Sequence, residues 1–315
     1  MHSLQKALPK VAVLMSTYNG ERFLREQLDS ILRQFSVNLH LVIRDDGSQD
    51  RTLDIVQEYR DRFHQITLLR GSNIGCKRSF LELAQFALEN LNEYAYFAFS
   101  DQDDVWNDDK LFRAVSILDD CKNNNGVLYH SCYEIVDKNL NHINKSSSKI
   151  YGTFGEALIA NQCIGCSMVF DYKVLSKAVR INSHIVNDYR LPYHDVWFYL
   201  VALASNARVI YDDVATFKYR QHGNNEIGLG NKLKSYKLRC KNVFKHKGLK
   251  SYFAELLTQT LTIAELSTNK ELLNTVKMYR NSITDKLNLI TDSRFKTKNC
   301  IINLSFKMMV LCGLY

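Results

Sequence analysis

Four apolar runs punctuate the first hundred residues, each followed by a polar turn. They are Val11-Ala12-Val13-Leu14-Met15, His40-Leu41-Val42-Ile43, Ile66-Thr67-Leu68-Leu69 and Tyr94-Ala95-Tyr96-Phe97-Ala98-Phe99. Such short runs bounded by turn residues read as buried strands. Between them the apolar positions recur at three and four residues: Phe23, Leu24, Leu28, Ile31 and Leu32; then Leu53, Val56 and Tyr59; then Phe80, Leu81, Ala84 and Leu88. That spacing predicts one buried face on each of three helices. The alternation β-α-β-α-β-α-β predicts a parallel sheet covered by helices.

The pattern is less regular further on. A helix is predicted over Lys110–Leu118, a strand over Gly126–His130, a polar loop over 137–150 and a helix over Gly152–Ile159. Cys163–Phe170 reads as a strand interrupted at Gly165. Val196–Ala204 reads as an apolar helix, with short strands over Arg208–Tyr211 and Ala215–Tyr219. From Leu229 onward the chain is helical and basic, then apolar.

Charge and cysteine content narrow the setting. The net charge of +8 is local: Lys232, Lys234, Lys237, Arg239, Lys241, Lys245, Lys247 and Lys250 occur without an acid among them, and the other basic residues balance the 33 acids. The eight cysteines have no dense spacing and no signal peptide precedes them, so free thiols in a reducing cytoplasm are expected. Cys163 and Cys166 form a lone C-x-x-C. Without a second pair they read as buried thiols rather than a zinc site.

The candidate chemistry sits at the predicted strand ends. Asp101, Asp103 and Asp104 follow the fourth strand, and ligands of open α/β sheets bind at such carboxyl ends. Three crowded carboxylates repel one another unless a cation lies among them. Oxygen ligands suit Mg²⁺ or Mn²⁺, ions that commonly bridge to phosphates. A polar loop after a core strand is the alternative. Neither G-x-G-x-x-G nor a P-loop follows the first strand. Ser16-Thr17-Tyr18-Asn19-Gly20 offers hydroxyls, an aromatic face and a turn instead, and Asp45-Asp46-Gly47-Ser48 ends the second strand.

Together, Ser16–Asn19, Asp45–Ser48 with Asp50-Arg51-Thr52, Asn73-Ile74-Gly75 and Ser100-Asp101-Gln102-Asp103-Asp104-Val105-Trp106 resemble the family 2 glycosyltransferases. The last segment is most similar to the bacterial rhamnosyltransferase-like enzymes of surface polysaccharide assembly. The resemblance covers at least residues 10–225. It implies a GT-A fold, with a mostly parallel central sheet, over 1–225 and a helical basic extension over 226–315. It implies an inverting hexosyl transfer from a nucleoside-diphosphate sugar, dTDP-rhamnose or a UDP-hexose, to a lipid-linked saccharide of O-antigen or capsule.

The implied roles follow position by position. Thr17, Tyr18, Asn19, Glu21, Asp45, Asp46, Asp101 and Asp104 would hold the donor. Asp103, with Asp101 and His222, would hold Mn²⁺ or Mg²⁺. Gly165, His194 and Trp197 would lie on the acceptor side, and Asp195 would be the base. The family usually has Glu-Asp where this chain has His194-Asp195. Asp195 could also cap the helix that starts at Val196.

On a helix, Leu233, Tyr236, Cys240, Val243 and Phe244 would line one stripe flanked by the lysines, as in an interfacial helix on anionic lipid. The expected location is therefore cytoplasmic and peripheral, on the inner face of the membrane. Residues 301–315 are too short to span it. No nucleic-acid module matches the basic run. A sugar nucleotidyltransferase and a non-catalytic nucleotide-sugar-binding module are the rival classes. The first would want a glycine-rich basic loop after the first strand, which Ser16–Gly20 lacks.

Overall fold

The computed structural model describes residues 7–146, 152–160, 163–181, 188–223 and 247–315. β1 (Lys10–Thr17), β2 (Asn38–Asp45), β3 (Ile66–Arg70) and β4 (Tyr96–Ser100) pair in parallel in the order β3-β2-β1-β4. Helices α1 (Leu24–Leu32), α2 (Thr52–Arg62) and α3 (Cys76–Asn90) make the crossovers. Both faces of this half-sheet are covered. Ala12, Leu14, Phe97 and Phe99 enter one apolar cluster, whereas Val11, Val13, Met15 and Ala98 enter the other. The alternation is the two-residue period of a pleated strand, and burial on both sides is why β1 and β4 read as continuous apolar runs.

Beyond β4 the sheet is mixed, so the expected parallel pairing holds for its first half. β5 (Val105–Trp106), α4 (Lys110–Asp120), β6 (Val127–Val136), β7 (His142–Lys145), α5 (Phe154–Ile159), β8 (Met168–Asp171), α6 (Tyr172–Ala178), α7 (His194–Ala204) and β9 (Arg208–Arg220) follow. β8 runs antiparallel to both β4 and β6, and β9 is parallel to β6 and antiparallel to β5.

Three expectations change here. The polar 137–150 stretch contains β7, whose four side chains are all exposed. Its backbone pairs with β6, so no side-chain alternation marks it. The two short strands of 208–219 are one strand, with register shifts against β6 opposite Cys132. Gly165 does not merely interrupt a strand: Gly165–Ser167 forms a 3-10 turn before β8.

Helices α8 (Leu249–Thr260), α9 (Lys270–Met278), α10 (Ile283–Thr291) and α11 (Cys300–Leu311) complete the described chain. Their Phe253, Leu273, Leu289 and Phe306 join the same buried cluster as Phe97, Phe170 and Trp197. Most of the basic run, residues 232–246 with the stripe Leu233–Phe244, lies outside the described residues. Among the described residues no helix is long and apolar enough to cross a membrane.

Candidate donor and catalytic site

Strand register assembles the first part of the site. Thr17 lies opposite Asp45, and Met15 opposite Ser100, so three strands end at one edge. Thr17 Oγ1 donates to Asp45 Oδ2 at 3.0 Å. Asp45 also accepts from the Gly47 and Ser48 amides at 3.1 and 2.9 Å and from Ser48 Oγ at 2.6 Å. These four bonds fill a carboxylate's acceptor sites. Asp46 is paired with the buried Arg44 at 2.6 Å and accepts from the Ile74 and Gly75 amides at 2.9 Å each.

Asp45 and Asp46 are both buried, and their bonds to these amides shape the edge. The exposed surface is supplied by Tyr18, which is 45% accessible, and by its neighbours. Asn19 has a left-handed backbone, donates its amide to Ser48 Oγ and accepts from the Gln49 amide. Glu21 accepts from the Arg51 amide at 2.9 Å.

The acid loop is clamped to that edge by Gln102, a residue the sequence reading passed over. Its Oε1 accepts from the Tyr18 amide at 2.8 Å and its Nε2 donates to the Tyr18 carbonyl at 3.0 Å. Gly20 is needed beside it, since a Cβ there would stand 2.4 Å from Gln102 Oε1.

The acids divide into two groups. Asp103 Oδ2 lies 2.8 Å from His222 Nε2. Asp101, Asp104 and Cys166 each offer a ligand atom, all within 4.8 Å of one another. Asp104 is fully buried, and its Oδ2 has no hydrogen-bond partner among the described residues. Burial, reinforced by the negative charges of Asp103 and Asp101, raises its carboxyl well above the usual carboxylate range. It stands with Asp101 and Cys166. A buried carboxylate oxygen beside a second carboxylate and a cysteine sulfur is an arrangement that can take a divalent cation. Asp101 and Asp104, whose ligand atoms stand together, and Asp103 with His222 are the residues that would hold it. Burial first, then the charges of Asp104 and Asp101, pushes the Cys166 thiol up.

His222 reaches Asp103 across 119 positions because β5 pairs with β9 directly after the acid loop. Arg220, at the end of β9, fixes the meeting. Its amide donates to Asp104 Oδ1 at 3.2 Å, Nε to the Asp103 carbonyl at 2.8 Å, Nη1 to the Lys138 carbonyl at 2.8 Å and Nη2 to Glu26 Oε2 at 2.5 Å. The guanidinium lies 4.5 Å from the Phe23 ring centroid, and Phe23 lies 4.7 Å from the His222 ring. Arg220 opens the Arg220-Gln221-His222-Gly223 segment that resembles the family, but nothing local shows that its side chain is buried, because its partners lie far along the chain.

On the other flank, Asp195 occupies the first turn of α7. Tyr193, not Asp195, is the N-cap, so capping does not explain the carboxylate. Asp195 Oδ1 accepts from the Val196 amide at 2.6 Å. The preceding His194 packs inward. Its ring stacks on Phe80 at 3.8 Å and meets the edge of Phe99 at 4.8 Å. Both ring nitrogens are shielded and have no hydrogen-bond partner among the described residues. Burial lowers its pKa to about 3, which keeps the ring neutral. Trp197 is likewise core: it is 2% exposed and donates Nε1–H to the Ala178 carbonyl at 2.7 Å. α7 is apolar and turns its Trp197 face into the core.

Gly165 joins the two flanks. A Cβ on it would stand 2.1 Å from His194 Nε2, and its neighbour Cys166 touches the Asp101–Asp104 group. Phe99, against His194, lies one residue before Ser100 and the acid loop. Gly165→Ala is therefore expected to lose about 1–3 kcal/mol of stability by overpacking and to slow catalysis. A urea melt and a rate measurement check both; a variant of unchanged stability and rate would mean the ring moves aside freely.

A nucleotide-type strand edge, an acid group poised for a cation and a separate carboxylate at a helix start define a nucleotide-sugar transferase class. The chain belongs to glycosyl transferase family 2, whose profile matches residues 12–178. It is 34% identical over 225 residues to the dTDP-rhamnosyl transferase RfbG of Shigella flexneri, covering 68% of this chain and 73% of that one. It is 31% identical over 170 residues to the UDP-Glc:alpha-D-GlcNAc-diphosphoundecaprenol beta-1,3-glucosyltransferase WfgD of Escherichia coli, covering 53% of this chain and 62% of WfgD. The structure of S. aureus TarS 1-349 with UDP-GlcNAc superposes with a TM-score of 0.58 at 16% identity, covering 96% of this chain and 81% of that one. The fold is GT-A.

Proposed function

We propose that this protein is an inverting hexosyltransferase. It moves a sugar from a nucleoside-diphosphate donor, dTDP-rhamnose or a UDP-hexose, to a lipid-linked saccharide in surface polysaccharide biosynthesis, working in the cytoplasm at the inner face of the membrane. The observation that carries this reading is the pairing of two carboxylate centres, Asp101–Asp104 with His222 and Asp195, through Gly165 and His194. The names of RfbG and WfgD support rhamnose or glucose as the sugar. Tyr18, Asn19 and Glu21 form the nucleoside side of the donor pocket, over the frame set by Thr17, Asp45 and Asp46.

Asp195 takes the proton of the acceptor hydroxyl as that oxygen attacks the anomeric carbon. The bond to the diphosphate breaks on the opposite face, which inverts the centre. When bound by Asp101, Asp104, Asp103 and His222, Mn²⁺ or Mg²⁺ supplies charge neutralisation on the departing diphosphate.

The test offers the purified chain dTDP-rhamnose, UDP-glucose, UDP-galactose and UDP-N-acetylhexosamines. Nucleoside diphosphate release is read with and without a lipid-linked saccharide and with and without EDTA. One donor is expected to give acceptor-stimulated, EDTA-sensitive release. Formation of a nucleotide sugar from a nucleoside triphosphate and a sugar phosphate would instead make the protein a nucleotidyltransferase. Donor binding without release under any condition would leave a binding module.

A further inference from the structure

The last two helices carry apolar side chains on the wrong side for a core. On α11, Ile301, Leu304, Met308 and Leu311 are 71, 62, 59 and 50% exposed, whereas Phe306 and Val310 are fully buried. At 100° per residue the four exposed positions fall within about 80° of arc, opposite the buried pair. On the neighbouring α10, Ile283 and Leu287 are 76 and 47% exposed, one turn apart, while Leu289 points inward. An outward stripe in addition to an inward one marks a surface that meets something apolar.

The charges around the stripe identify what that is. No acid follows Asp292 in the chain, and Lys296, Lys298 and Lys307 are exposed. Lys286 Nζ donates to the Leu311 carbonyl at 2.9 Å and Arg280 Nη2 to the Gly313 carbonyl at 2.7 Å. Cations thus cover the negative end of the α11 dipole. With 12 residues, α11 is about 18 Å long, too short to cross a hydrocarbon core of about 30 Å. It can lie in an interface. A second copy is a poorer occupant, because a two-fold contact sets the same patch on both sides and brings these lysines against their own copies.

We infer that the α10–α11 ridge is a membrane-docking surface that inserts Ile301, Leu304, Met308 and Leu311 into an anionic bilayer, with Lys296, Lys298 and Lys307 at the headgroups. This deepens the reading above, whose lipid-linked acceptor it brings within reach. It also gives the ridge a part in membrane contact that the sequence assigned to the basic run around 232–250. Binding is nevertheless read without any sugar transfer.

The experiment is flotation of the full chain with vesicles of phosphatidylcholine plus phosphatidylglycerol, against phosphatidylcholine alone. The wild type is expected to float with the anionic vesicles and to be released partly by salt. The double variant Leu304→Glu, Met308→Glu is expected to bind at least about tenfold more weakly, as loss of interfacial apolar insertions requires. A Lys296→Gln, Lys298→Gln, Lys307→Gln variant is expected to lose the preference for anionic lipid. Ile143→Glu, at an exposed apolar position on β7, is the control and is expected to float as the wild type does. Undiminished flotation of the ridge double variant would overturn the inference. So would equal loss in the Ile143 control, or light scattering showing a dimer that the ridge substitutions dissociate. Donor turnover by the ridge variant is measured in parallel. Retained turnover without flotation supports the docking surface, and flotation without turnover by the wild type would sink only the transferase reading.

Discussion

Asp195→Asn is expected to bind donor as the wild type does and to transfer sugar about 10²–10⁴-fold more slowly, the usual worth of a general base. The substitution isolates one property. Asparagine has nearly the shape of aspartate, and its amide oxygen can still accept the Val196 N–H that Asp195 Oδ1 now accepts. His194, packed between Phe80 and Phe99, continues to hold the start of α7 in place. The negative charge, and with it the capacity to take a proton, is removed. The measurement is acceptor-dependent release of nucleoside diphosphate, with donor affinity from isothermal titration. A variant that keeps most of its transfer rate removes Asp195 as the base. A variant that loses donor affinity as well places the carboxylate on the donor instead.

Arg220→Gln is expected to destabilise the fold by about 1–3 kcal/mol, the cost of leaving buried acceptors without a donor, and to weaken metal-dependent nucleotide binding. The side chain of Arg220 is 1% exposed and pairs with Glu26. It also bonds the Asp103 and Lys138 carbonyls and lies over Phe23. Glutamine cannot span these partners, so the Asp103 carbonyl loses its donor and the loop carrying Asp103 loosens against His222. Glu26 is half exposed and finds water, so losing the guanidinium there adds little to the penalty. Lysine is expected to rescue little, because a single ammonium cannot replace a planar fork. Urea midpoints give the stability, and titration of nucleoside diphosphate with Mn²⁺ gives the coupling. An unchanged midpoint in Arg220→Gln would mean that the acid loop does not depend on this arginine.

The sequence was most legible where function and local pattern coincide. The four parallel strands, their helices and the acid loop could be placed by apolar runs and their breaks. Asp103 and His222 could be nominated, although nothing local tied them together. What local pattern could not supply was each residue's partners. The amides of Gly47, Ser48, Ile74 and Gly75 bond the oxygens of Asp45 and Asp46, which no local signal foretells. His194 and Trp197 stand near Asp195 in the chain, but an α-helix turns successive side chains to different faces. β7 was missed because a strand held by its backbone at the edge of a hairpin needs no apolar residues.

By itself, then, the sequence determined the parallel half-sheet, the edge at which a nucleotide would lie and the acids available there, because these follow from local periodicity and strand ends. Only the tertiary structure decided which acids stand together. Pairing of β5 with β9 carries Arg220 and His222 to Asp103, and Gly165 lets His194 close the distance between the acid loop and α7. The contacts of Arg220 and His222 with Asp103 join segments more than a hundred residues apart. Their free energy comes from burial and geometry that no local pattern encodes.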